Sequence, residues 1–266
     1  MIKKLLMILR LERANSAKAC EYLSPKKRIV LITGAESGIG KSTSELFLKN
    51  GYRVIGTTFK KKKFKPTKDI EYYQIDITNH LDWKNLTSYI NKKFKKIDVL
   101  INSAGVRLSG DLETTSLDNW NYHLKNNVTG MFLACKYTLP LLKKGKKSSI
   151  INLASINSIR GAKNMLAYAT SKSAIISFTA SLALDLTKNK IRVNAVAPGA
   201  IETPMLASFK KEFTAAEFKK RMKESHPIGR AGKPQEVANV IYFLASEGGS
   251  FLTGLTIPVD GGRSIR

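Results

Sequence analysis

Cysteine is almost absent from this chain: only Cys20 and Cys135 occur in 266 residues, far apart and without metal or dithiol spacing. That excludes a disulfide scaffold, and a reducing cytoplasm suits both thiols. Histidine is nearly as scarce. His80, His123 and His226 stand at no metal-ligand spacing, so they are read as surface or packing residues and no metal is expected. No apolar run approaches the ~18–20 residues that cross a bilayer, so no membrane partner is expected. Lys3 and Lys4 followed by Leu5-Leu6-Met7-Ile8-Leu9 have the outline of a signal peptide. However, five apolar residues followed by Arg10, Glu12 and Arg13 fall short of the roughly 7–15 that export requires. Residues 1–27 are therefore read as a basic N-terminal extension, flexible or partly helical.

Acid is also in short supply. Twenty Asp and Glu face 45 Lys and Arg, a net charge of +25, which raises nucleic acid as a partner. The lysines are scattered, at Lys60–Lys63, Lys92–Lys96, Lys143–Lys147, Lys210–Lys211 and Lys219–Lys220. No zinc finger, helix-turn-helix or RNA-binding aromatic strand accompanies them, so a solvated basic surface is the better reading.

What the chain does have is 43% hydrophobic residues in a repeating order. Apolar runs of strand length alternate with longer amphipathic stretches, the pattern of βα units around a parallel sheet. Strands are expected at residues 28–33, 52–58, 70–76, 97–102, 149–153, 191–196 and 255–259. Helices are expected from Gly38 to about Asn50, around Trp83–Phe94, along Leu117–Leu142 and along Met165–Leu186. Residues 28–266 thus form one α/β domain, a doubly wound Rossmann-type sheet of about seven strands, with a partly helical lid insertion at about 204–227.

The first strand runs into Thr33-Gly34-Ala35-Glu36-Ser37-Gly38-Ile39-Gly40. Glycines there allow a tight turn and close backbone approach, and a helix starting near Gly38 aims unpaired N–H groups at an anion. The Gly-x-x-x-Gly-x-Gly spacing, rather than Gly-x-Gly-x-x-Gly, resembles the short-chain dehydrogenase/reductase family. The resemblance continues through Asp76, Asn102-Ser103-Ala104-Gly105, Tyr168 with Lys172, Pro198-Gly199-Ala200-Ile201-Glu202-Thr203 and Val259-Asp260-Gly261-Gly262. These landmarks cover about residues 28–262. The chain departs from the family where Ser103 replaces a usual second asparagine.

Tyr168 and Lys172 lie one helical turn apart and share a face. Moving a hydride to or from a carbonyl carbon requires a proton on its oxygen, and an adjacent ammonium is expected to draw the phenol toward neutrality. The resemblance implies that Ser155, thirteen residues before Tyr168, holds the substrate oxygen. It also implies that Asn127, rather than its neighbour Asn126, supports a water that passes protons to Lys172. Lys172 would bond the nicotinamide ribose as well. By the same resemblance, Gly34, Ser37, Gly38, Ile39 and Gly40 hold the pyrophosphate, Asp76 and Ile77 flank the adenine, and Asn102, Ala104 and Gly105 line the ribose. Pro198, Gly199, Ile201 and Thr203 would surround the carboxamide. All four catalytic positions are filled, which argues against an idle member of the fold.

An NAD enzyme places an acid about 20 residues beyond the glycine turn. Here the count reaches Thr58, followed by Phe59 and Lys60, so NADP(H) is slightly favoured over NAD(H). Against it, Ser37 occupies the position where many NADP-dependent relatives carry a base. The substrate is a small-molecule or carrier-bound carbonyl. The resemblance extends to 3-oxoacyl-carrier-protein reductases and to glucose or small-alcohol dehydrogenases. Leu206, Phe209, Phe213, Phe218 and Met222 of the insertion are mostly read as the buried side of two short helices, with apolar surface facing a ligand as the alternative. The resemblance also implies a homo-oligomer, a tetramer or dimer, packed through the two long helices.

Overall fold

A computed structural model describes residues 27–59, 69–210 and 213–266. Lys60, the rest of the basic loop to Lys68, Cys20 and the N-terminal extension up to residue 26 lie outside the described residues.

Seven strands form one parallel sheet: β1 (Ile29–Thr33), β2 (Arg53–Thr58), β3 (Ile70–Gln74), β4 (Val99–Asn102), β5 (Ser149–Leu153), β6 (Arg192–Pro198) and β7 (Thr256–Val259). Their spatial order is β3-β2-β1-β4-β5-β6-β7, so the chain reverses direction across the sheet between β1 and β4. Ligands of such sheets bind outside the carboxyl ends of the strands at that reversal.

Both faces of the sheet are covered, which is why the strands read as unbroken apolar runs. Alternate residues go to opposite sides. Leu31, Ile55, Leu100 and Ile150 pack with Trp83, Leu86 and Ile90 of α2 (His80–Lys93). Val30, Ile32, Val54, Val99 and Ile101 pack with Phe47 of α1 (Gly38–Lys49) and with Val237, Ile241 and Leu244. Each such side chain contributes roughly 1.5–3 kcal/mol on burial.

The expected helix over residues 117–142 is two helices. Helix α3 (Leu117–His123) passes through a π-turn, Leu124–Thr129, into α4 (Gly130–Leu142). A π-turn widens the backbone bonding by one residue and recurs at functional sites; this one holds Asn127. Helix α5 (Leu166–Leu186) agrees with expectation. The insertion forms α6 (Pro204–Lys210) and α7 (Ala215–Ser225), the latter opened by a reciprocal cap between Thr214 and Glu217. No element is expected from the sequence between Pro227 and residue 255. Helix α8 (Pro234–Ala245) lies there, with proline in its first turn and its apolar side against α1.

Candidate active site

A cleft of about 1200 Å³ opens at the carboxyl ends of the strands. One part of its wall is mainly backbone. Gly34 and Gly38 take φ of +64° and +52°, left-handed values that favour glycine. A Cβ on Gly40 would lie 2.2 Å from the Gly34 carbonyl oxygen, so the turn can fold back on itself only without one. Ser37 precedes α1 but makes no side-chain cap, which leaves the first N–H groups of the helix available to an anion. Thr33 ties the neighbouring loop down, its hydroxyl accepting the N–H groups of Ser103 and Ala104 at 3.0 Å each.

Most of the expected residues line this cleft: Gly34, Ser37, Gly38, Ile39, Thr58, Phe59, Asp76, Ile77, Ala104, Gly105, Ser155, Tyr168, Lys172, Pro198, Gly199, Ile201 and Thr203. Three do not. Gly40 lies beneath the turn and is needed for its packing. The Asn102 side chain points into the sheet, donating to Asn152 Oδ1 at 2.8 Å and to Cys135 Sγ at 3.4 Å, and is not part of the cleft wall. Asn127 stands behind the wall as a brace. Its Oδ1 accepts from Val106 N at 2.8 Å, and its Nδ2 donates to Val106 O at 3.0 Å and to Ser171 Oγ at 2.9 Å. Asn126 lines the cleft instead.

Tyr168 and Lys172 are buried on α5. The Ser155 hydroxyl stands beside the Tyr168 phenol in the cleft and favours its ionised form. Its ring meets the buried His123 edge to face, with centroids 6.2 Å apart. Lys172 Nζ donates to the Leu153 carbonyl at 2.7 Å. The electrostatics correct the expected tuning. Burial pushes the phenol above its ordinary value, and the groups opposing that rise are the Ser155 hydroxyl and the Arg107 guanidinium, with no contribution from Lys172. Lys172 is itself drawn down to about 8 by burial and is directed at a backbone carbonyl, so it stays charged at neutral pH and loses that charge as pH rises through about 8.

Two further features have no counterpart among the residues expected from the sequence. Glu36, within the glycine turn, lines the cleft with one carboxylate oxygen, Oε2, buried and without a hydrogen-bond partner among the described residues. Its neighbour Ala35 donates to Thr57 O at 3.0 Å, which sets Glu36 beside the end of β2. His226, at the end of α7, accepts the Ala200 N–H on Nε2 at 3.1 Å and so fixes the strand-end segment from Pro198. Burial, aided by the Arg263 charge, holds this imidazole below its ordinary value and keeps it an acceptor.

A doubly wound sheet with a glycine turn, and a tyrosine and lysine one helical turn apart in the cleft, defines a class: nicotinamide-dependent oxidoreductases. The chain belongs to the short-chain dehydrogenase/reductase family, whose members act on CH–OH or C=O groups with NAD(P). Residues 34–264 match the family model described as enoyl-(acyl carrier protein) reductase. The 3-oxoacyl-(acyl-carrier-protein) reductase FabG of Thermotoga maritima is 36% identical over 247 residues, covering 90% of this chain and 98% of its own. The meso-2,3-butanediol dehydrogenase of Serratia marcescens is 32% identical, covering 88% and 94%. Among solved structures, ligand-free aldohexose dehydrogenase of Thermoplasma acidophilum superposes with a TM-score of 0.83 at 35% identity, covering 90% and 95%. ElxO with NADP bound gives 0.83 at 34%, covering 90% and 100%.

Proposed function

We propose that this enzyme is an NADP(H)-linked ketone reductase, with 3-oxoacyl thioesters as the first substrates to try, and that Asn127, Ser155, Tyr168 and Lys172 are its working residues. The observation that carries this is the Tyr168 phenol, buried in the cleft beside Ser155 and held protonated by its surroundings. A phenol kept neutral is suited to donate a proton to a carbonyl oxygen.

The cradle fits a dinucleotide. Its volume exceeds the ~300–1,000 Å³ of ordinary ligand sites, which leaves room for a second molecule. N–H groups at the start of α1 would take the pyrophosphate, and Asp76 and Ile77 would flank the adenine. Lys172 would bond the ribose, and residues 198–203, fixed by His226, would meet the carboxamide. When bound, the nicotinamide ring supplies the hydride in reduction and accepts it in oxidation. The chain's part is the proton and the charge. Tyr168 Oη donates to the substrate oxygen as negative charge grows there, and the Ser155 hydroxyl stabilises that charge. Asn127 is a positioning residue, holding the Gly105–Val106 backbone against the α5 helix through Ser171.

NADP(H) is favoured because β2 ends in neutral Thr58, and because ElxO is a relative with NADP bound. The 3-oxoacyl substrate rests on the FabG relative and on a basic surface that would attract an acidic carrier. A second reading, a sugar or small-alcohol dehydrogenase, draws on the butanediol and aldohexose relatives. The same reading makes the enzyme a cytoplasmic homo-oligomer, with the exposed Phe132 of α4 and Leu166 and Leu184 of α5 in its interfaces. The test is consumption of NADPH and NADH across a panel of ketones that includes a 3-oxoacyl thioester. NADPH consumed fastest with the thioester supports the reading; consumption only with sugars or diols in the oxidative direction replaces it with the second.

A further inference from the structure

Four arginines from separate parts of the chain line the cleft that holds Tyr168 and Ser155. Arg107 follows β4, Arg160 follows β5, Arg221 is on α7, and Arg263 is near the chain end. Phe209 of α6 lies between two of them, its ring centroid 4.6 Å from the Arg107 guanidinium carbon and 5.7 Å from that of Arg221. Arg221 also lies 5.2 Å from the Phe213 ring. Stacking of this kind fixes a guanidinium plane, and the planar fork of Arg221 suits an oxyanion.

The other two are joined. Arg160 Nη1 donates to the Arg263 carbonyl at 2.6 Å. Arg263 feels the charges of both Arg160 and Arg221, which together with burial lower its proton affinity. Its Nε is buried with no hydrogen-bond partner among the described residues. Asp260 opposes this by less than burial and the two arginines favour it, and its oxygens accept the N–H groups of Gly262 at 3.0 Å and Ser264 at 2.6 Å. Glu224, the carboxylate nearest in sequence to Arg221 along the lining, stands 3.9 Å from Lys220 instead. Gathering like charges costs free energy that an anionic ligand returns.

We propose that the substrate of this site carries an oxyanion in addition to its carbonyl group, gripped by Arg160, Arg221 and Arg263, with Phe209 setting the plane of Arg221. This rests on the reductase reading and narrows it. A carboxylate on a free oxo acid and the phosphate of a phosphopantetheine thioester share this chemistry.

Two matched pairs separate those sources: 4-oxopentanoate with its methyl ester, and 3-oxobutanoyl-pantetheine with its 4′-phosphate. In at least one pair the anionic member should show kcat/KM tenfold or more above its neutral partner. Arg221→Met should lower that ratio about tenfold through KM, and Arg221→Lys should restore part of it. A preference in the first pair identifies a free oxo acid, and in the second the pantetheine arm. Arg221 is exposed on α7, so its replacement should leave the fold intact, as a thermal melt would verify. Neutral partners turned over equally well in both pairs would overturn the proposal, as would an Arg221→Met variant that lowers both members alike. If no ketone is reduced at all, the reductase reading fails. Calorimetric titration of the NADPH-mixed protein with the same compounds then decides this inference: Arg221-dependent binding of an anionic member supports it, and its absence overturns it.

Discussion

The turn from Gly34 to Gly40 and the wall around Phe209 line the same cleft, yet they are made of different material. The turn works through backbone: glycines in left-handed conformations, uncapped N–H groups of α1, and a loop tied to Thr33. It can recognise a phosphate and a ribose while offering little choice among substrates. The Phe209 wall works through side chains from four distant segments, two of them stacked on one aromatic ring. Between the two stand Tyr168 and Lys172, whose properties come from burial. Cofactor binding, chemistry and substrate choice should therefore fail separately when residues are changed.

The largest separable effect short of removing the phenol belongs to Ser155. Ser155→Ala should lower kcat by about 10²–10³, the usual consequence of deleting one donor to a developing oxyanion. NADPH affinity, followed by nucleotide fluorescence, should stay close to the parent's.

Gly40→Ala attacks the backbone side. The added methyl group meets the Gly34 carbonyl, so the turn must shift, at a cost of about 1–3 kcal/mol. Thermal unfolding should show the loss, and NADPH binding should weaken with it. Unchanged melting and affinity would mean that the turn is not built on that close approach.

Lys172→Met tests burial itself. The folded-state value of about 8 lies below the ordinary 10.5, so forcing the ammonium to stay charged destabilises the fold below about pH 8. That penalty is relieved as pH rises toward 10.5. The variant should thus be more stable than the parent by about 1–2 kcal/mol at pH 7, because the shift represents ~3 kcal/mol and the lost bond to Leu153 offsets part of it. Its advantage should shrink at pH 10, while turnover falls by orders of magnitude. In the parent, kcat/KM for reduction should fall above about pH 8 as Lys172 loses its proton.

The smallest effect concerns Glu36, whose carboxylate beside the end of β2 would oppose a 2′-phosphate bound there. Glu36→Gln should raise the preference for NADPH over NADH by about three- to tenfold, measured as a ratio of kcat/KM values. A shift toward NADH would locate the adenosine end of the cofactor elsewhere.

Much of this was legible in the sequence, for physical reasons. Strands buried on both faces must be apolar throughout, so β5 was read to the residue and the others to within about two. The glycine turn and the Tyr168/Lys172 pair are local patterns, fixed by backbone geometry and helical spacing. The π-turn was not legible, because a one-residue widening of helical bonding leaves no periodic mark in Leu117–Leu142. Helix α8 carries a local signal of its own, because Pro234 and the apolar residues after it announce a helix start. Asn102 was carried over by motif, but its direction depends on Asn152, fifty residues away in the chain. The rise in the Tyr168 phenol depends on burial, which spacing does not encode. The arginine wall joins residues 107, 160, 221 and 263, and only folding brings them to one cleft.

The most direct test of the separation between cofactor binding and chemistry is Tyr168→Phe, assayed for NADPH affinity and for single-turnover ketone reduction on the same preparation. Affinity within about threefold of the parent, with reduction slowed by about 10²–10⁴ or more, is the expected result. Reduction near the parent's rate would contradict the account, because the proton would then come from another group.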